Sequence, residues 1–158
     1  MPKPVERPPY IGVIGAGECE AALYEQARAL GREIARAGAV LVCGGLGGVM
    51  DAACRGAREH DGVTIGLLPG EETDDANPYV QYPIAAGIGY ARNYIIINTA
   101  DVLIAVGGSY GTLSEIGFAL KAGKKVIGIE TFDLGEDIIP ADSPAHAVEL
   151  ALNALESA

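Results

Sequence analysis

Five short runs in this chain, YIGVIG (10–15), AVLVC (39–43), VTIGLLP (63–69), DVLIAV (101–106) and KKVIGIE (124–130), are apolar along most of their length and do not alternate with polar residues. Such strands are buried on both faces, which points to a parallel sheet rather than an antiparallel one with a wet side. Segments of helical spacing lie between them. Residues 21–37 place Ala22, Leu23, Ala27, Leu30, Ile34 and Ala37 on one face and Arg28, Arg32 and Arg36 on another, and Gly38 follows where a helix-ending glycine belongs. VMDAACRGAREH (49–60), GIGYARNYIIINTA (87–100) and TLSEIGFALKAG (112–123) read as further helices. Ser143-Pro144 supplies an N-cap and a first-turn proline for a last one. The alternation predicts an α/β fold, a Rossmann-like, doubly wound parallel sheet with helices on both faces, as a single domain over residues 10–158. The first nine residues hold four prolines and predict an extended tail, and EETDDANPYVQYP (71–83) predicts a loop.

Charge narrows the partners. Twenty-one acids against 11 bases give a net charge of −10, which disfavours a nucleic-acid backbone as ligand. A compact anion would have to be held by backbone N–H groups at helix starts or by one of the few arginines. No apolar stretch reaches the ~18 residues of a membrane span, and MPKPVERPP lacks the apolar core of a signal peptide, so the expected location is cytoplasmic, away from membranes. Cys19, Cys43 and Cys54 show no metal-ligand spacing and read as small buried hydrophobes, with no metal site expected. Helix 87–99 carries Tyr90, Tyr94, Ile95, Ile96 and Ile97 around more than one side, more than one sheet face covers. That pattern, in a chain 49% hydrophobic, predicts a homo-oligomer, a homodimer or homotetramer.

Three glycine turns follow strands: Gly15 to Gly17, Gly44 to Gly48 with Met50 two residues on, and Gly107 to Gly111 running into Thr112. Each presents helix-start N–H groups to a phosphate, and each is also what a tight strand-to-helix turn requires. No Walker motif is present, and Gly15-Ala16-Gly17-Glu18-Cys19-Glu20 lacks the third glycine of the dinucleotide fingerprint. Read in order, GGLGGVM (44–50), Arg92 and GGSYGTLSE (107–115) form a specific set. Over residues 10 to 130 the chain resembles the Lonely Guy (LOG) group of Rossmann-like proteins, long mislabelled lysine decarboxylases. The group's pattern is a GG…GxM turn, an Arg-Lys pair on a helix, and PGGxGTxxE at the next strand end. Arg92, Gly111, Thr112 and Glu115 match it, whereas Asn93 stands at the lysine and Gly107-Gly108-Ser109 at the Pro-Gly-Gly. These departures resemble the short branch that includes the molybdenum cofactor carrier protein.

The resemblance implies a phosphorylated ligand, a nucleoside monophosphate or a pterin. Gly15, Gly17, Gly44, Gly45, Gly47, Gly48, Met50, Gly107, Gly108, Ser109, Gly111 and Thr112 would bind it. It also implies one of two activities. Either Arg92 and Glu115 act in hydrolysis of nucleoside 5′-monophosphates to base and ribose 5-phosphate, or the protein carries molybdenum cofactor as cargo without catalysis and needs no resident cofactor. The residues themselves add two constraints. Arg92 is the only Lys or Arg between Arg58 and Lys121 and lies in an apolar helix, so it faces an anion: a ligand, or Glu115 or Asp101 as an ion-pair partner. Glu115 reads either as the third-position member of a capping box opened by Thr112 or as a carboxylate that stabilises an oxocarbenium-like charge. Glu71, Glu72, Asp74 and Asp75 read as a solvated loop, and His60 and His146 as exposed helical residues. No lysine ends a strand as pyridoxal phosphate chemistry requires.

Overall fold

The computed structural model describes residues 1–157. In chain order they form β1 (Tyr10–Gly15), α1 (Ala21–Arg36), β2 (Val40–Cys43), α2 (Val49–Arg58), β3 (Val63–Leu68), β4 (Tyr82–Ala85), α3 (Arg92–Thr99), β5 (Val102–Val106), α4 (Tyr110–Lys121), β6 (Val126–Ile129), β7 (Ile138–Pro140) and α5 (Pro144–Glu156). All seven strands lie in one parallel sheet of order β4-β3-β2-β1-β5-β6-β7. The fold is the expected Rossmann-like α/β arrangement. From β1 the chain winds outward to β4, then returns across the sheet through α3 to β5 on β1's other side. The winding direction therefore reverses between β1 and β5, and a crevice opens there at the carboxyl ends.

The apolar strands still obey the two-residue period of a pleated backbone. Ile11, Val13, Leu41, Cys43, Ile104 and Val106 join the core beneath α1, α2 and α5, while Ile14, Val42, Leu103 and Ala105 join the core beneath α3 and α4. Helices α1 and α2 approach closely because Gly31 and Gly56 have no side chain: a Cβ on either would strike the backbone of the facing helix. The opposite face has two helices, and its outer side leaves Tyr94, Ile95 and Phe118 exposed.

Several predicted boundaries move. The segment 71–83 contains a 3-10 turn (Thr73–Asp75) and runs into β4, an edge strand whose apolar residues Tyr82 and Ile84 are exposed and therefore left no burial pattern. The helix expected over 87–100 begins only at Arg92, after a 3-10 turn (Gly89–Ala91), because Gly87 and Gly89 hold left-handed φ values of +69° and +62°. The short β7, only three residues long, follows a loop and shows no strand pattern in the sequence. Residues 1–9 form neither helix nor strand, but Arg7 pairs with Asp101 at 2.8 Å and lies over the Tyr10 ring at 4.1 Å.

Candidate functional site

The Gly15–Gly17 and Gly44–Gly48 turns interlock at the crevice. The Val49 N–H, first in α2, donates to Ala16 O at 3.1 Å, and a Cβ on Gly47 would meet Gly17 O at 3.0 Å. Asn77, from the segment read as a plain loop, clamps this turn by donating its side-chain amide to Leu46 O at 2.9 Å and its backbone N–H to Gly45 O at 2.9 Å. The only cue to it in the sequence was the turn-forming Asn77-Pro78 pair. Below the turn, Cys43 and Cys54 are buried as expected, with their sulfurs 3.4 Å apart.

Arg92 enters from the other side. As the first residue of α3 it is 6% exposed, and a Cβ on Gly44 would meet its Nη2 at 2.7 Å and Met50 Sδ at 2.8 Å. Gly44, Met50 and Arg92 thus form one packed group. The guanidinium donates from Nη1 to Asn93 Oδ1 and from Nη2 to Gly44 O at 3.5 Å, while its buried Nε has no partner. Neither carboxylate considered as its ion-pair partner serves: Asp101 is engaged by Arg7 and by the Tyr10 N–H, and Glu115 makes no ion pair with Arg92. Burial pulls the guanidinium below its ordinary value, and the nearby Glu115 and Cys43 oppose that shift. Lysine at position 93 would lose the acceptor that Asn93 supplies and add a second buried cation.

The Gly107–Gly111 turn adjoins the first, since Gly15 and Val106 are register partners. Gly107 and Gly108 are left-handed, at φ +57° and +139°, and bring Ser109 to the N-cap of α4. This corrects the expected capping box. Helix α4 starts at Tyr110, two residues earlier than Thr112, and the Thr112 hydroxyl accepts from the Ser109 N–H at 3.3 Å. Thr112 is therefore the third-position member of the box rather than its opener, and Glu115 falls in the second turn, free of any capping role. Glu115 is 7% exposed and lies near Arg92; burial pushes its carboxyl up to about 7, against the pull of the guanidinium. Ser109, Tyr110 and Gly111 are exposed at the start of α4, where the first N–H groups have no intrahelical acceptor.

The structure thus gathers the glycine turns, Met50, Arg92 and Glu115 at one end of the sheet. The acidic residues Glu71, Glu72, Asp74 and Asp75 lie exposed on the segment before β4, His60 is exposed beyond the end of α2, and His146 is partly buried in the first turn of α5, where its Nδ1 accepts from the Asp142 N–H at 3.0 Å. No helix among the described residues is long and apolar enough to cross a membrane.

Residues 8–154 match the model of the SLOG cluster4 family. An uncharacterised protein of Archaeoglobus fulgidus is 43% identical over 143 residues, 90% of this chain and 94% of that one. Among solved structures, the molybdenum cofactor binding protein of the phototrophic bacterium Rippkaea orientalis superposes with a TM-score of 0.89 at 38% identity, over 94% of this chain and 98% of that one. The Moco carrier protein of Chlamydomonas reinhardtii does so with a TM-score of 0.87 at 36% identity, over 96% and 100%.

Proposed function

We propose, from the premise that this chain belongs to the SLOG cluster4 family, that it binds a phosphorylated pterin-type ligand at the carboxyl edge of its sheet and carries it without turning it over. Molybdenum cofactor is the cargo to which its structural relatives point. One observation carries the reading: a buried guanidinium with an unpartnered Nε and no ion pair, packed against the Gly44 turn that follows β2. Burying such a cation is costly unless an anion completes it. A ligand phosphate supplies that anion, and the exposed N–H groups at the start of α4 supply hydrogen bonds and the positive end of a helix dipole.

Two features favour carriage over hydrolysis of a nucleoside monophosphate. Stabilising an oxocarbenium-like charge calls for an ionised carboxylate, whereas burial holds Glu115 up to about 7, so that it is only partly ionised at neutral pH, and a neighbouring phosphate pushes it further toward the neutral form. A neutral Glu115 also removes the repulsion that an anion would otherwise meet. In addition, Asn93 serves as an acceptor for Arg92 where the hydrolase pattern has lysine. The exposed Tyr90, Tyr94, Ile95 and Phe118 on the α3–α4 side form the face through which we place a homodimer or homotetramer. Light scattering should then return a mass above the 16.2 kDa of one chain.

The test is incubation with molybdenum cofactor released from a molybdoenzyme, followed by re-isolation and molybdenum analysis, alongside a panel of nucleoside 5′-monophosphates assayed for free base. The expected result is retained cofactor and no base above the buffer control. Release of base from any monophosphate would overturn the carrier reading.

A further inference from the structure

Between β6, the loop that follows it and β7 lies a cavity of about 240 Å³ that the proposed anion site does not use. Glu130, Thr131, Phe132, Asp133 and Leu134 form its rim, and Gly128 and Ile138 lie deeper. Two of its wall residues touch the Gly107–Gly111 turn. The Thr131 hydroxyl donates to Gly107 O at 2.5 Å, and a Cβ on Gly108 would meet Phe132 Cε2 at 3.1 Å. The volume falls below the about 300 to 1,000 Å³ of pockets that enclose a whole drug-sized ligand, so it suits one fused ring system rather than an entire nucleotide. Phe132 offers that ring a stacking face.

The two carboxylates on the rim differ. Asp133 Oδ1 already accepts from the Gly135 N–H at 3.0 Å. Glu130 enters none of the ion pairs among the described residues, and its backbone is held in the left-handed region at φ +48°. A side chain other than glycine or asparagine in that region carries strain, and strain of this kind clusters at ligand-binding positions. Acidic groups here repel a phosphate and favour a ring edge made of N–H donors.

Resting on the reading above, we propose that this cavity holds the ring end of the same ligand, and that Glu130 selects a 2-amino-4-oxopyrimidine edge. Its two oxygens accept from the ring N–H and the exocyclic amino group while the phosphate stays at the Gly107–Gly111 turn. Guanine and pterin rings carry that edge, whereas hypoxanthine lacks the amino group.

Calorimetric titration with guanosine 5′-monophosphate and inosine 5′-monophosphate tests this. The wild type should bind the guanosine compound about tenfold or more tighter, as expected for loss of a hydrogen bond to a charged group. Glu130→Gln should erase the difference by weakening the guanosine compound alone, and Glu130→Gly should do the same while raising the melting temperature through relief of the left-handed strain. Equal binding of the two ligands by the wild type, or a preference that survives Glu130→Gln, would overturn the ring site and leave the phosphate site standing. Failure of both ligands to bind would overturn the ring site, whereas the carrier reading stands or falls on cofactor retention.

Discussion

The Gly44–Gly48 and Gly107–Gly111 turns look alike as sequence and are different objects in space. The first is filled. A methyl group would meet Arg92 Nη2 at 2.7 Å if placed on Gly44, Leu68 Cδ2 at 2.8 Å on Gly45, and Gly17 C at 2.5 Å on Gly48. Its helix start is occupied as well, because Val49 donates to Ala16 O and the Asp51 side chain stands in the first turn of α2, accepting from the Tyr24 hydroxyl at 2.6 Å. The second turn is pinned at its base, where Gly107 lies against Leu23 and Gly108 against Thr112 and Phe132, but Gly111 at its tip has nothing within 4 Å. We read the closed turn as the seat that fixes Arg92 and the open one as the place where an anion approaches. A glycine repeat therefore does not by itself mark a phosphate site; the space around it does.

The largest effect expected from this contrast is at Gly48. Its φ of +61° and its contact with the Gly17 backbone leave a side chain nowhere to go, so Gly48→Ala should cost about 3 kcal/mol or more, read by denaturant unfolding. A Gly48→Ala protein of normal stability would break the distinction between the turns.

Next comes Glu115, behind the open turn. Its folded-state value of about 7 lies above the ordinary 4.5, so the folded state binds the extra proton between those limits. The destabilisation is absent below pH 4.5, grows as pH rises through the interval, and is complete above pH 7. Glu115→Gln should therefore leave stability unchanged at low pH and raise it by ~3 kcal/mol at pH 8 to 9. Melting curves across pH would show this, and a constant difference at all pH values would mean that the carboxylate is well solvated.

The smallest expected stability effect is at Gly111. It lies in the first turn of α4 with open space around it, so Gly111→Ala should raise stability by about 0.5 to 1 kcal/mol, as alanine does for glycine in a helix. The added methyl group narrows the approach to the backbone donors, and phosphate-ligand affinity should fall by about tenfold, equivalent to ~1.4 kcal/mol. Together with Gly48→Ala this gives opposite outcomes from the same substitution in two similar turns.

Much of this architecture is legible in the sequence. The five unbroken apolar runs announce a parallel sheet because strands covered on both faces read that way, and two of the helices, α1 and α4, end on the glycines Gly38 and Gly123. Arg92, Gly44 and Met50 meet in space as the motif implied. What escaped notice left no periodic trace. The edge strand β4 is half wet, β7 has only three residues, and Asn77 acts through two bonds that loop composition does not encode. The capping assignment failed because two motifs overlap: Thr112-Leu113-Ser114-Glu115 fits one box, and Ser109 with Thr112 fits another three residues earlier. The backbone took the second because left-handed Gly107 and Gly108 turn the chain there, and Glu115 was thereby released from the helix end into the buried site.

The central claim is that Arg92 is buried to meet a ligand's anion rather than to hold the fold together. Arg92→Met separates the two, since it keeps the packed volume and removes the charge. Replacing a buried unpaired cation by an apolar side chain of similar size is expected to leave stability unchanged or raise it. Loss of a charge-assisted hydrogen bond should weaken the phosphorylated ligand by about 1.5 to 3 kcal/mol, roughly 10- to 150-fold. Paired melting and calorimetric titration of wild type and Arg92→Met is therefore the most direct measurement. Preserved stability with lost affinity is the expected result, and lost stability with unchanged affinity would contradict the account.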